Sequence, residues 1–225
     1  AGLDRVPPGD AGRWVVRANG AGRVWVVPPG GRSSATIEES VAGLVLRVPL
    51  RSFFQVNPEV TELLVPWLQA HAPDEACTGL VDAYSGSGLF ALALADAFDE
   101  VRGIERDPAA VKAAGHNARR LGLRHAQFRA GRVEQLLEPA LAEGAPERTA
   151  VLLDPPRTGC GPEVLETLER RRPRRLVYLS CNPPVLARDL RRLAAAGYRV
   201  SETALFDMFP QCAPFEAAAV LEKGE

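Results

Sequence analysis

The residues best suited to covalent chemistry stand around Cys181. The run Leu176-Val177-Tyr178-Leu179-Ser180 is apolar and rich in strand formers. It leads through Cys181-Asn182 into Pro183-Pro184 and the helical pattern Val185-Leu186-Ala187-Arg188-Asp189-Leu190. Proline is favoured in the first turn of a helix, where its missing N–H costs nothing. Cys181 is therefore expected between the carboxyl end of a strand and a helix N-terminus, where the helix dipole favours thiolate over thiol. A thiolate so placed is a candidate nucleophile, although a buried cysteine that only packs is the commoner use of the residue. Three more polar features fall at strand ends: Asp82-Ala83-Tyr84-Ser85-Gly86-Ser87-Gly88, Glu105, and Asp154-Pro155-Pro156-Arg157. A glycine turn lets a ligand approach the backbone, and carboxylates accept hydroxyl hydrogen bonds or act as bases. Chance turn chemistry accounts for any one of the four features but poorly for all of them.

The elements that must position these residues are legible in the hydrophobic pattern. From residue 79 strand and helix alternate, as in a doubly wound parallel α/β sheet. Strands are predicted near 79–84, 101–105, 126–130, 150–154 and 175–180, and helices near 88–98, 107–121, 133–142, 162–171 and 184–195. Two late strands are predicted near 198–206 and 216–222. Open sheets of this kind bind ligands outside the carboxyl ends of their strands, where all four features fall. Upstream, residues 1–50 read as a small β-rich region: a hairpin of 13–17 and 23–27 about Asn19-Gly20, then a strand over 44–48. That region is too short for a robust core and is expected to pack on residues 51–225. A helix capped by Asn57 and opened by Pro58 joins the two, with a bend expected at Pro66.

Composition narrows the class. A chain of 225 residues with 46% hydrophobic and 24% charged residues is an ordinary globular protein. No apolar run has the length of a membrane span, and no secretory signal opens the chain. The four cysteines (77, 160, 181 and 212) lack CxxC spacing. No metal or iron–sulfur cluster is therefore expected, and the cytoplasm is the expected compartment. The net charge of −1 carries no nucleic-acid signature, but residues 1–57 hold seven arginines against four acids, a balance of +3 compatible with RNA contact.

The glycine turn alone is ambiguous. Gly86-x-Gly88-x-x-Ala91 also satisfies the dinucleotide pattern, with Glu105 near the distance of a ribose-binding acid. A nicotinamide enzyme would give no role to Asp154-Pro155-Pro156-Arg157 or Cys181, and no second mononucleotide half is evident. Taken in order, the motifs Ser52-Phe53-Phe54-Gln55-Val56-Asn57, Asp82-x-Tyr84-x-Gly86-x-Gly88, Gly103-Ile104-Glu105, Asp154-Pro155-Pro156-Arg157, Ser180-Cys181-Asn182-Pro183, Ala187-Arg188-Asp189-Leu190 and Asp207-Met208-Phe209-Pro210 resemble the TrmA-like RNA uracil-5-methyltransferases. They cover roughly residues 50–223. The resemblance implies a Rossmann-like S-adenosylmethionine-dependent methyltransferase domain over 51–225, acting on structured RNA (tRNA or 23S rRNA). It implies Cys181 as nucleophile and Glu216 as general base, with Gln55, Tyr84, Gly86, Gly88, Glu105 and Asp154 around the cofactor and target base. A monomer is expected.

The chemistry needs such residues. Uracil C5 is a weak carbon nucleophile until a thiolate adds at C6, and a base must later remove the C5 proton. The chain also departs from the family: Cys212 and Pro214 precede Glu216 where Thr and His are usual, and Gly131-Arg132 stands where an acid or amide faces adenine. The RNA-binding barrel of the family is absent, so the chain reads as the catalytic half or a short relative. Among rivals, a cytosine-5-methyltransferase would carry its cysteine directly after the prolines, where Arg157 stands and Cys160 comes three residues late. An amino-methyltransferase would need an aromatic residue at 157. An RNA-binding module that has lost catalysis would have no use for Cys181 and Glu216, but the missing barrel keeps that alternative open.

Overall fold

A computed structural model describes residues 15–19, 23–28, 35–208, 210 and 215–224. The N-terminal hairpin forms from β1 (Val15–Ala18) and β2 (Val24–Val27), paired antiparallel with Val15 opposite Val27. Its Gly20 lies outside the described residues. A second hairpin joins β3 (Thr36–Val41) to β4 (Leu44–Pro49) through Ala42-Gly43, both at positive φ (50° and 73°), as a two-residue turn of the primed kind requires. Strand β3 is absent from the sequence reading, for a physical reason. Its inward row is Ile37, Glu39, Val41, so a charged residue breaks the apolar alternation, and Glu39 is buried with Arg17 Nε 3.8 Å from its carboxylate.

Helix α1 (Pro58–His71) starts as its sequence dictates: the Asn57 side chain accepts the Val60 N–H at 3.2 Å, and Pro58 opens the first turn. It continues through Pro66 and buries Leu64, Val65 and Leu68 in the core shared by both hairpins and one face of the main sheet. The hairpins thus pack on the larger α/β unit, as a segment too short for its own core must.

The main sheet is built from β5 (Gly79–Ala83), β6 (Glu100–Glu105), β7 (Ala126–Ala130), β8 (Thr149–Leu153), β9 (Arg175–Ser180), β10 (Tyr198–Phe206) and β11 (Glu216–Lys223). Its order is β10-β11-β9-β8-β5-β6-β7. The first five strands of the sheet in chain order are mutually parallel, and β11 lies antiparallel between β9 and β10. Between them run α2 (Leu89–Ala93), α3 (Pro108–Arg120), α4 (Val133–Glu143), α5 (Pro162–Arg171) and α6 (Pro183–Ala195). Alternate strand residues feed two cores. Leu80, Leu152, Val177 and Leu179 face the hairpins with α1 and α2, and Val81, Val151, Leu153 and Tyr178 face α4, α5 and α6.

The Rossmann-like α/β class expected from the pattern is the class observed. One helix is shorter than expected. The predicted helix over 88–98 is α2 with a 3₁₀ turn after it at Ala95–Ala97. Leu89 to Leu92, Leu94, Ala95 and Phe98 are all buried, so no polar face directs a long helix there. The Ala97 and Phe98 amides bond three residues back, to Leu94 and Ala95, which tightens the chain until Phe98 can turn into the core.

Candidate active site

Strand β5 stands at the switch point, with β6 on one side and β8 on the other. A cavity of about 570 Å³ opens there, outside the carboxyl ends of the parallel strands. Each parallel strand contributes residues at or just past its carboxyl end: Tyr84 and Gly86 after β5, Glu105 at the end of β6, Gly131 and Arg132 after β7, Asp154 to Arg157 after β8, Cys181 after β9. Glu216 reaches the same edge because β11 is antiparallel, so its first residue lies where the others end. Ala217 pairs with Ser180, which sets Glu216 opposite Cys181 across adjacent strands.

Of the eight residues singled out from the sequence, seven line this cavity; Gly88 does not. Gly88 caps α2 at φ 90°, and a Cβ there would meet Ala114, Leu92 and Phe128 at 3.1–3.2 Å. Its service is to close packing under the turn. Tyr84, a non-glycine at φ 82°, owes that strained backbone to the turn, in which the Tyr84 and Ser85 amides both bond to the Ile104 carbonyl at 2.9 Å.

Glu105 is held rigidly. Its Oε2 accepts the Gly86 N–H at 3.1 Å and its Oε1 the Asp107 N–H at 2.7 Å. Gln55 donates from Nε2 to Asp154 Oδ2 at 3.2 Å, which ties the segment before α1 to the loop after β8. Burial pushes the Asp154 carboxyl up to about 7, the Gln55 hydrogen bond offsetting part of the rise. Burial, and then the charge of Asp154, push Glu216 up to about 8. Glu216 Oε1 is buried and has no hydrogen-bond partner among the described residues.

The state of Cys181 corrects the expectation from the helix dipole. Its thiol is shifted upward, by burial first and then by the Glu216 carboxylate; Arg157 opposes this and Asp154 adds to it. The dipole argument considered only the helix. The tertiary structure brings two carboxylates to the same sulfur, and the residue stands one place before the cap, Asn182. Cys160 is a far poorer candidate: it is 4% exposed, it does not line the cavity, and burial pushes its thiol up to about 12.

Two further acids support the site beyond the eight residues assigned to it from the sequence. Asp82 is fully buried below the turn, accepts the Ala91 N–H at 3.0 Å, and is pushed up to about 8 by burial and by Asp154. An aspartate inside an apolar strand was the available signal. Asp107 lines the cavity while capping α3 and accepting the Ser52 hydroxyl at 2.5 Å; its Asp-Pro pair advertises the cap and hides the second role. Cys212 and Pro214 lie outside the described residues. Among the described residues no helix is long and apolar enough to cross a membrane, and no cluster of His, Cys, Asp and Glu is arranged to hold a metal.

Comparison with known proteins bears on this geometry. The family described as tRNA (Uracil-5-)-methyltransferase matches residues 142–224, and one described as Conserved hypothetical protein 95 matches residues 57–181. An uncharacterized RNA methyltransferase of Lactiplantibacillus plantarum is 43% identical over 84% of this chain and 39% of its own length. Another, from Halalkalibacterium halodurans, is 36% identical over 83% of this chain and 40% of its own. The chain thus spans about two fifths of the length of the curated relatives it matches. Among solved structures, the Pyrococcus abyssi tRNA (uracil-54, C5)-methyltransferase in complex with S-adenosyl-L-homocysteine superposes with a TM-score of 0.71 at 29% identity. That likeness covers 88% of this chain and 45% of the other. With its cysteine and glutamate side by side at the sheet edge, the chain belongs among these RNA methyltransferases, and its residues 142–224 match the tRNA (uracil-5-)-methyltransferase family.

Proposed function

We propose that the protein transfers a methyl group from S-adenosylmethionine to C5 of a uridine in structured RNA, tRNA or 23S rRNA. The observation that carries this reading is the β9–β11 register, which sets the Glu216 carboxyl opposite Cys181 in one cavity with Glu105 and Gly86.

The residues present fit the cofactor. Gly86 leaves open space where a side chain would stand, and Glu105 presents a fixed carboxylate at the cavity wall for ribose hydroxyls. When bound, S-adenosylmethionine supplies an electrophilic methyl group on its sulfonium. Cys181 gives its proton to water, its thiolate sulfur bonds to uracil C6, and the C5–C6 π pair shifts toward C5 and the C4 carbonyl oxygen, which makes C5 electron-rich. Once C5 carries the methyl group, Glu216 in its carboxylate form takes the C5 proton. The electron pair of that C–H bond restores the C5–C6 double bond and expels the Cys181 thiolate. Gln55 and Asp154, joined by their hydrogen bond, are assigned to cofactor and base contacts, and Tyr84 to the cavity wall. The burial of Cys160 argues against a cytosine-5 enzyme with its nucleophile in the loop after β8.

The direct test is incubation with labelled S-adenosylmethionine and unmodified tRNA or 23S rRNA, then nucleoside analysis. 5-Methyluridine is the expected product, and label in 5-methylcytidine would replace this reading with the cytosine one. Cofactor binding is tested separately. Glu105→Ala leaves the ribose hydroxyls without a charged acceptor, a loss of about 1.5–3 kcal/mol for such hydrogen bonds. Calorimetry should show S-adenosylhomocysteine affinity falling roughly 10- to 100-fold; undiminished affinity removes Glu105 from the site.

We assign RNA contact to residues 1–50 and the chemistry to 51–225, in a cytoplasmic protein. The +3 balance of residues 1–57 supports this, although Arg17 is engaged within the fold, donating to the Ser52 and Pro49 carbonyls. Binding carried by the remaining arginines falls with added salt through counterion release. Affinity for tRNA that stays flat between low and physiological salt would assign those arginines to solvated surface alone.

A further inference from the structure

Two segments have no part in the reaction above, yet they meet around one buried carboxylate: Thr158-Gly159-Cys160 after β8 and Arg188-Asp189 on α6. Asp189 is fully buried, at 0% exposure. Its Oδ2 accepts the Tyr178 hydroxyl at 2.6 Å and the Cys160 backbone N–H at 3.1 Å, and its Oδ1 accepts Arg188 Nε–H at 2.8 Å. The Cys160 N–H is shared with the Tyr178 oxygen, also at 3.1 Å. Arg188 further donates to the Thr158 carbonyl at 3.2 Å, and the Asn182 side chain donates to the Arg157 carbonyl at 3.1 Å. Gly159 sits at φ +82°, where a Cβ would lie 2.4 Å from Val185 and 2.7 Å from Asp189 Oδ2.

Three backbone groups between Arg157 and Cys160 are therefore held by α6 and the residue that caps it. The loop they belong to presents Asp154 and Arg157 to the cavity, and the helix begins two residues after Cys181. A buried carboxylate is stable only when donors satisfy it, and every donor here comes from the loop, from β9 or from α6.

We propose that Asp189, seconded by Tyr178, is a positioning residue that sets Arg157, at the outer end of the loop after β8, at a working distance from Cys181, while Asp154 is held separately by β8 and Gln55. This rests on the reading of Cys181 as the nucleophile. Misplacement of a reacting group by about 1 Å costs about 100-fold in rate, so the network acts on turnover rather than on cofactor binding. Asp189→Asn keeps the shape but puts an amide donor where donors already converge. Tyr178→Phe removes one donor and leaves the Cys160 N–H bonded to Asp189, so it is the milder change.

The experiment compares wild type, Tyr178→Phe and Asp189→Asn in steady-state methylation of RNA, in S-adenosylhomocysteine calorimetry, and in iodoacetamide labelling read by peptide mass spectrometry. The expected result is a kcat loss of about 10-fold for Tyr178→Phe and about 100-fold for Asp189→Asn per cofactor-binding molecule, with cofactor affinity unchanged within about threefold. Labelling should appear at Cys160, protected in the wild type, and the rate at Cys181 should change. A lowered thermal midpoint with unchanged kcat per cofactor-binding molecule means a merely structural role and overturns the positioning one, as does cofactor affinity falling in step with kcat. If Asp189→Asn does not fold, Tyr178→Phe decides by the same readouts. Because the labelling needs no RNA turnover, wild type that fails to methylate uridine while Cys160 protection behaves as described defeats the reading of the reaction and leaves the grip on the loop standing.

Discussion

Cys181→Ala should form no covalent complex with RNA, whereas Glu216→Gln should accumulate one that already carries the transferred methyl group. Both variants should lose turnover, but at different steps. Without sulfur at position 181 no bond to uracil C6 forms, and Cys160 is too deeply buried to substitute. With the thiol intact and the carboxyl replaced by an amide, addition and methyl transfer remain open while removal of the C5 proton stalls. The adduct should survive a denaturing gel and carry label from the cofactor methyl. Cys212, outside the described residues and four positions before Glu216, is the alternative nucleophile to test alongside. An adduct lost in Cys212→Ala and retained in Cys181→Ala would falsify the mechanism at its centre.

Glu216→Gln should also make the protein more stable near pH 8 and no more stable near pH 4. Burial raises the Glu216 carboxyl from its ordinary 4.5 to about 8. Below 4.5 the folded and unfolded chains both hold the proton, and no difference arises. Between 4.5 and about 8 the unfolded chain releases a proton that the folded chain retains, so stability falls as pH rises through that window. A tenfold change in a proton affinity is worth about 1.4 kcal/mol, and about 1 kcal/mol moves the thermal midpoint by roughly 2–4 °C in a domain of this size. A gain of several degrees at pH 8 that vanishes at pH 4, measured by calorimetry, is the expected result. An equal gain at both pH values would mean that the carboxyl does not titrate in this window. In the proposed reaction the base is the carboxylate form of Glu216, so the rate should rise with pH toward about 8. The burial that would suit Glu216 to the proposed proton transfer thus destabilises the fold above neutral pH.

The sequence by itself determined the class of fold, the ends of the parallel strands and seven residues of the cavity that opens there. Buried parallel strands must be apolar along their length, and the residues just beyond their carboxyl ends are the ones that ligands meet. Polar residues at those points, Tyr84, Glu105, Asp154 and Cys181, are therefore legible in a single chain. The caps of α1 and α3 were legible for a similar local reason, an Asn or Asp before a proline. What depended on contacts distant in sequence was not legible. Glu39 belongs to a strand because Arg17 faces it from another hairpin, and a carboxylate in an alternating row looks like a loop until its partner is known. Gly88 reads as a ligand glycine by spacing but serves packing, because Ala114 and Phe128 crowd it from elements far along the chain. The Cys181 thiol was the largest difference. Its place before a helix is a local fact and favours thiolate, whereas the carboxylates of Glu216 and Asp154 reach it only through the antiparallel insertion of β11 and the loop after β8. The sign and size of a pKa change are sums over neighbours in space, so only the tertiary structure could decide them.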